Sequence, residues 1–183
     1  MSFETTNVWR QVTPELQAEL ADFWLRHGAI ADPARAQARA LQAVVVARDA
    51  SGALCGVATA LLRVIPRLRQ PTYYRQFFAP DQRGNKQALP FFKDAVRILE
   101  EGNKAKHESL GVLLEIENSW LNGHFTQAVG ERTGGTFIGY SPRGHQLRVI
   151  YFEGATLFPP ARIVRPAQRA GAPGRRVPVA PQA

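Results

Sequence analysis

Between Tyr73 and Leu99 the hydrophobic pattern changes period across one short break, and that break constrains the fold more than any other stretch. Tyr73 to Phe78 is an aromatic run with strand character. Ala79-Pro80-Asp81 stops it, because proline has no amide for further ladder pairing. Beyond Arg83-Gly84, the residues Leu89, Phe92, Val96 and Leu99 recur on one face of a helix. Lys93, Arg97, Glu100 and Glu101 fall away from that face, and Gly102-Asn103 predicts the helix stop.

The flanking segments extend this pattern. Thr13 suits a helix N-cap, Pro14 the first helical position and Glu15 the positive end of the dipole. Leu16, Leu20, Phe23 and Trp24 then form an apolar stripe that Gly28 ends. Asp32-Pro33 starts a second helix reaching about Gln42. Val44-Val45-Val46 and Leu54 to Leu62, joined by Asp49-Ala50-Ser51-Gly52, read as a hairpin. Arg63 to Pro71 reads as a loop, Val112 to Ile116 as a buried strand and Trp120 to Val129 as a helix. Thr136 to Tyr140 and Leu147 to Phe152 form a final strand pair. The expected order is ααββ-β-α-β-α-ββ, an α/β fold whose mixed sheet contains antiparallel and parallel pairs.

Charge divides the chain in two. Five arginines (Arg162, Arg165, Arg169, Arg175, Arg176) and no acidic residue fall after Pro159, among proline, alanine and glycine. The formal charge of +8 is therefore concentrated there, since the remaining 18 basic residues face 15 acidic ones. A composition this poor in core-forming residues does not offset its ordering entropy. The expected organisation is a folded domain at 1–158 and a disordered basic tail at 159–183, the tail offering at most weak nucleic-acid or membrane contact. The opening residues lack a secretory-signal pattern, and no apolar run approaches the roughly 20 residues that span a bilayer. Cys55 alone forms no internal disulfide. The expectation is a soluble cytoplasmic protein without membrane attachment, for which a homodimer is open.

The turn Arg83-Gly84-Asn85-Lys86-Gln87-Ala88 is the leading chemical feature. Amides at a helix start lack intrahelical partners and lie at the positive dipole end, so with Arg83 and Lys86 they suit a polyphosphate. An ordinary strand-to-helix turn with exposed basic residues is the plainer alternative.

Strand, Pro-Asp, Arg-Gly and helix together resemble the acyl-CoA loop of the GNAT superfamily, Arg/Gln-x-x-Gly-x-Gly/Ala. Arg83 matches the first position and Ala88 the last. The order of elements from about Trp9 to Phe152 is similar as well. Lys86 departs from the pattern, standing where the family has its middle glycine. It either points outward or lends its ammonium to a phosphate, and a carrier-protein thioester becomes an alternative donor.

The resemblance implies an N-acyltransferase, in the first place an N-acetyltransferase, that uses acetyl-CoA or another acyl-CoA; no metal is expected, on the spacing of the histidines. The acceptor would be a small-molecule or peptide amine. It implicates Phe78 and the backbone of Arg83, Gly84, Asn85, Lys86, Gln87 and Ala88 in donor binding, with Asn118 and Asn122 as further contacts. It implicates an acidic residue as the base, and Glu117, nearer the opening than its same-face neighbour Glu115, is the candidate. A leaving-group tyrosine is missing from Val129-Gly130-Glu131, which leaves Tyr140 as the nearest substitute.

The plainer readings are solvent exposure for the glutamates, capping for the asparagines and packing for Tyr140. Tyr73, Tyr74, Phe77 and Phe78 line either a pocket or the core. His27, His107, His124 and His145 show no metal-ligand spacing. Two other functions stay open: a non-catalytic acyl-CoA or small-ligand sensor, and a nucleic-acid or partner-binding module acting through the tail.

Overall fold

A computed structural model describes residues 3–62, 72–84 and 86–157. The loop expected at 63–71, Asn85 and the basic tail at 159–183 lie outside the described residues. The elements are β1 (Glu4–Asn7), α1 (Pro14–Arg26), α2 (Pro33–Ala40), β2 (Ala43–Arg48), β3 (Leu54–Leu62) and β4 (Thr72–Phe78). They continue as α3 (Ala88–Lys104), β5 (Gly111–Ile116), α4 (Ser119–His124), β6 (Thr136–Tyr140) and β7 (Gln146–Tyr151). The seven strands form one sheet in the order β1-β2-β3-β4-β5-β7-β6. Every strand pair is antiparallel except β4 with β5.

Local chemistry accounts for the first two helices. Thr13 accepts a hydrogen bond from Leu16 N–H at 3.3 Å, and Asp32 accepts one from Ala34 N–H at 3.1 Å. A proline follows each cap, where its missing amide costs nothing. These helices cover one face of the sheet, packing Leu20, Phe23, Trp24, Ala36 and Ala40 against Val46, Leu54 and Val57. Helix α3 covers the other face, with Phe91, Phe92, Ala95 and Leu99 against Val45, Ala58, Tyr74, Phe78 and Val112. Burying a side chain such as Phe23 or Phe91 contributes about 1.5–3 kcal/mol, so the sheet is held from both sides.

Three boundaries differ from expectation. Strand β1 carries no apolar period, because all four residues are exposed and it is held by backbone pairing to β2. Helix α3 runs through Gly102 to Lys104; that glycine serves packing, since a Cβ there would sit 3.1 Å from the Trp9 indole nitrogen. Helix α4 stops at His124, well short of Val129. The carbonyls that would continue it are captured elsewhere. Arg148 donates to Phe125 O at 2.7 Å and Gln127 O at 2.8 Å, and Phe137 N–H donates to Ala128 O at 2.7 Å.

Candidate active site

The parallel ladder between β4 and β5 is short. It pairs Thr72, Tyr73 and Tyr74 with Val112, Leu113 and Leu114, then ends. Beyond that point β4 continues beside β3, and β5 continues beside β7. The two strands therefore part and leave a wedge inside the sheet. Ala79 N–H bonds Cys55 O, so by antiparallel alternation the amide and carbonyl of Gln76 and Phe78 point away from β3 into the wedge. On the other wall, Phe152 N–H bonds Leu110 O, which by the same alternation turns the backbone of Glu115 toward the wedge. The Glu115 carbonyl is met by Glu117 N–H at 3.1 Å.

Side chains on the α1/α2 face meet at the apex. Tyr73, Arg75 and Phe77 alternate along β4 on that face, and Leu113 and Glu115 alternate along β5, with Glu117 just beyond its end. Tyr73 OH donates to Glu115 Oε2 at 2.5 Å. Arg143, from the turn between β6 and β7, reaches Glu115 at 2.9 Å and Glu117 at 2.7 Å. His145 Nδ1 lies 3.1 Å from Glu115 Oε1. Arg75 donates to Tyr73 OH at 3.1 Å and lies 3.9 Å from Glu117.

These neighbours separate the two carboxylates. Burial raises the Glu115 pKa, but hydrogen bonds from Tyr73, Ser141, Arg143 and His145 more than offset it and hold the value at about 2. Glu115 is only 8% exposed and stays ionised, which makes it a poor proton acceptor. Glu117 is 50% exposed and open to solvent. Burial, followed by the hydrogen bond to Glu115, raises the Tyr73 pKa and keeps its phenol protonated.

Glu115, Glu117 and His145 also place three ligand-type atoms within 4.8 Å of one another. Arg143 supplies the positive charge that such a set would otherwise attract. We read the group as an ion-pair network.

The turn after β4 lies at the mouth of the wedge, following the short helical turn Pro80–Gln82. Arg83 bends back, so that its Nε donates to Phe78 O at 3.2 Å and its guanidinium lies 5.4 Å from the Phe77 ring centroid. Gly84 (φ 85°) and Lys86 (φ 62°) both take left-handed backbone. Position 86 thus keeps a conformation suited to glycine while carrying a lysine. Gln87 precedes α3 without capping it by its side chain, and Ala88 is the first helical residue. The Phe78 ring packs 4.9 Å from Phe91 under α3, which leaves its backbone to face the wedge.

Other expected residues fall elsewhere. Asn118 caps α4 by accepting from Leu121 N–H at 3.0 Å and so precedes the helix that carries Asn122. Asn122 accepts from Gln146 N–H at 3.3 Å and from Gln146 Nε2 at 2.7 Å, pinning β7 to α4. Tyr140 is 65% exposed at the far edge of the sheet, paired with Gln146, and β7 stands between it and β5. The structure does not bring it to the carboxylates.

Arg75, Arg143 and His145 were missed because their partners lie 26 to 42 positions away in sequence or on other strands. One signal was available: the 72↔112 register carries Arg75 level with Glu115. An arginine among aromatics and a glutamate among aliphatics on neighbouring strands mark a polar meeting point. A surface depression of about 340 Å³ between β1 and α1, lined by Thr13, Glu19 and Arg48 among others, carries no comparable grouping.

No family model matches the sequence, and no curated protein matches it. Solved structures do match the fold. A GNAT-family acetyltransferase from Streptococcus pneumoniae is similar at a TM-score of 0.57 with 12% identity, over 82% of this chain and 99% of that one. A phosphinothricin acetyltransferase from Sinorhizobium meliloti, solved with AcCoA, reaches 0.57 with 16% identity over 92% and 98%. Ribosomal-protein-S5-alanine acetyltransferase from Vibrio fischeri reaches 0.53 with 11% identity over 85% and 96%. The chain has the fold of the GNAT acetyltransferases, an α/β architecture with a mixed central sheet and flanking helices.

Proposed function

We propose that this chain is a divergent GNAT-superfamily N-acyltransferase that moves an acyl group, in the first place acetyl, from acyl-CoA to an amine. The observation that carries the proposal is the wedge between β4 and β5, open-edged along β4 and continuous with the Arg83–Ala88 turn. The chain's own groups fit such a donor. The Gln76 and Phe78 amides suit an extended amide-bearing arm, and the left-handed positions 84 and 86 shape a loop before the start of α3. Lys86 adds an ammonium at that mouth. Similar folds such as the Sinorhizobium meliloti enzyme have been solved with AcCoA.

Bound acyl-CoA would supply the activated thioester: the amine nitrogen would bond to its carbonyl carbon, the C–S bond would break, and CoA would leave as the thiolate. The chain's part is positioning and proton acceptance. Wedge amides hold the reacting carbonyl near the apex, and Glu117, directly or through water, takes the proton lost by the attacking amine. Glu115 stays ionised and fixes Tyr73, Arg143 and His145 around that site. Tyr140 has no part in this proposal.

A second reading, a non-catalytic acyl-CoA sensor, draws on the 2.7 Å Arg143–Glu117 pair, which occupies the proposed base. Calorimetric titration of the full chain with acetyl-CoA and longer acyl-CoAs, then thiol release against a panel of amines, separates the two. Binding with turnover supports the transferase, and binding without turnover supports the sensor. Absence of binding to every acyl-CoA refutes both. Among the described residues no helix is long and apolar enough to cross a membrane.

A further inference from the structure

We infer that the acceptor amine carries a carboxylate, bound by Arg75 at the apex of the wedge. This rests on the acyltransfer reading and names the acceptor class for the same site. Arg75 is the first residue of β4 beyond the parallel ladder, so it stands where the sheet opens. Its guanidinium lies 4.6 Å from the Tyr73 ring centroid and donates through Nη2 to the Tyr73 hydroxyl. Its Nε is shielded from solvent and meets no hydrogen-bond partner among the described residues. A buried donor on a cation is costly to leave unmet; the side chain is 31% exposed, and a turn of the guanidinium that brings Nε and Nη2 to the opening presents a planar edge that matches a carboxylate.

The local charge points the same way. Both glutamates are clasped by Arg143, and Glu115 has His145 and Tyr73 as well. Arg143 supplies one positive charge against two carboxylates and Arg75, 3.9 Å from Glu117, the second, so the pairs balance without any further cation. Arg39 adds a further cation from the helix covering this face. Its pKa is lowered by burial first and then by the charges of Arg75 and Arg35, with Glu117 and Tyr73 acting the other way. Among the described residues, Arg75 and Arg143 pair with Glu115 and Glu117, and Arg39 adds a third positive charge to the two negative ones. A polycationic acceptor is repelled by this set, and an uncharged amine leaves Arg75 Nε unmet. An amine whose carboxylate reaches Arg75 satisfies both.

The test uses the full chain with acetyl-CoA and matched pairs: glycine, L-phenylalanine and L-glutamate, each against its α-carboxamide, with phosphoethanolamine as the phosphate-bearing amine. The expected result is a preference of about tenfold or more in kcat/KM for the acids, as one charge-assisted fork contributes. The acid-to-amide ratio should fall toward one in Arg75→Gln, through KM, with Arg75→Lys intermediate because it keeps the charge and loses the fork. Arg39→Gln should lower the ratio severalfold and provides an independent variant if Arg75→Gln does not fold.

Equal use of acids and carboxamides overturns the inference, as does a ratio unchanged in both variants. A preference for phosphoethanolamine over every acid overturns the carboxylate assignment. If no amine turns over, calorimetric titration of the acids in the presence of CoA decides. Arg75-dependent binding upholds the carboxylate site and places the failure in the acyltransfer reading, whereas no binding of any acid overturns the inference.

Discussion

Lys86 carries two separable effects, and two substitutions divide them. Its backbone is left-handed at φ 62°, a conformation that costs an L-residue with a side chain roughly 1–2 kcal/mol. Glycine adopts it freely but loses about 0.5–1 kcal/mol more on ordering. Lys86→Gly should therefore stabilise the fold by up to about 1 kcal/mol, whereas Lys86→Ala keeps the backbone cost and should change stability little. For a chain of this length, 1 kcal/mol corresponds to about 2–4 °C in Tm. Both variants lose the ammonium. The side chain is exposed, so a pairing with phosphate is screened and contributes about 0.5–1 kcal/mol, or two- to fivefold in acyl-CoA affinity. Urea unfolding measures the first effect, and calorimetric titration at two salt concentrations measures the second. Lys86→Gly should be the more stable variant while binding acyl-CoA as weakly as Lys86→Ala. A glycine variant no more stable than the alanine variant refutes the backbone reasoning. Wild-type affinity in both variants refutes a role for the ammonium.

Glu115 predicts a pH signature. Its folded pKa of about 2 lies below the ordinary 4.5, so its stabilisation is complete above about pH 4.5 and is lost as pH falls toward 2. The span corresponds to about 3 kcal/mol. In urea unfolding at a series of pH values, Glu115→Gln should be less stable than wild type by about that amount at pH 7, with the gap closing below pH 4.5; a pH-independent gap would count against the network. Arg148 is 3% exposed and donates to the carbonyls of Phe125, Gln127 and Gly135 and to Gln146 Oε1. Arg148→Met should cost about 2–4 kcal/mol by leaving those acceptors unmet. It should also speed amide exchange across residues 125–135, and unchanged exchange there would show that Arg148 does not hold the loop.

What could be read from the sequence follows the range of the forces involved. Thr13-Pro14-Glu15 and Asp32-Pro33 announce their helices because cap, ring and dipole act within one turn. The hairpin around Asp49-Ala50-Ser51-Gly52 is equally local, with Asp49 Oδ1 accepting from the amides of Ser51 and Ala53. Strand β1 was invisible because its stability comes from pairing with residues forty positions away and from no side-chain period. The end of α4 was misplaced because Arg148 captures its carbonyls from across the sheet. In the candidate site, the turn at Arg83–Ala88 was legible as a local motif. The Tyr73–Glu115–Arg143–His145 network was not, since it exists only once β4, β5 and the β6–β7 turn are neighbours.

That network sets a condition on any proton transfer at the apex. Glu117 is the accessible carboxylate, yet Arg143 sits 2.7 Å from the oxygen that an incoming proton would have to reach. Arg143 also holds Glu115, which Tyr73, Ser141 and His145 hold as well. Arg143 can therefore swing from Glu117 while remaining on Glu115, at the modest cost of one half-exposed ion pair. An acceptor carboxylate arriving beside Arg75 would favour that swing by drawing Arg143 toward new negative charge. On this reasoning Arg143→Gln leaves Glu117 only the longer 3.9 Å pair with Arg75 and removes the coupling between acceptor binding and base release. Its kcat should depend less on whether the acceptor is an acid or a carboxamide, while Arg75 still sets KM. Steady-state kinetics on the matched acid and amide pairs reads both quantities, and a kcat contrast in Arg143→Gln equal to that of wild type would exclude Arg143 as the link.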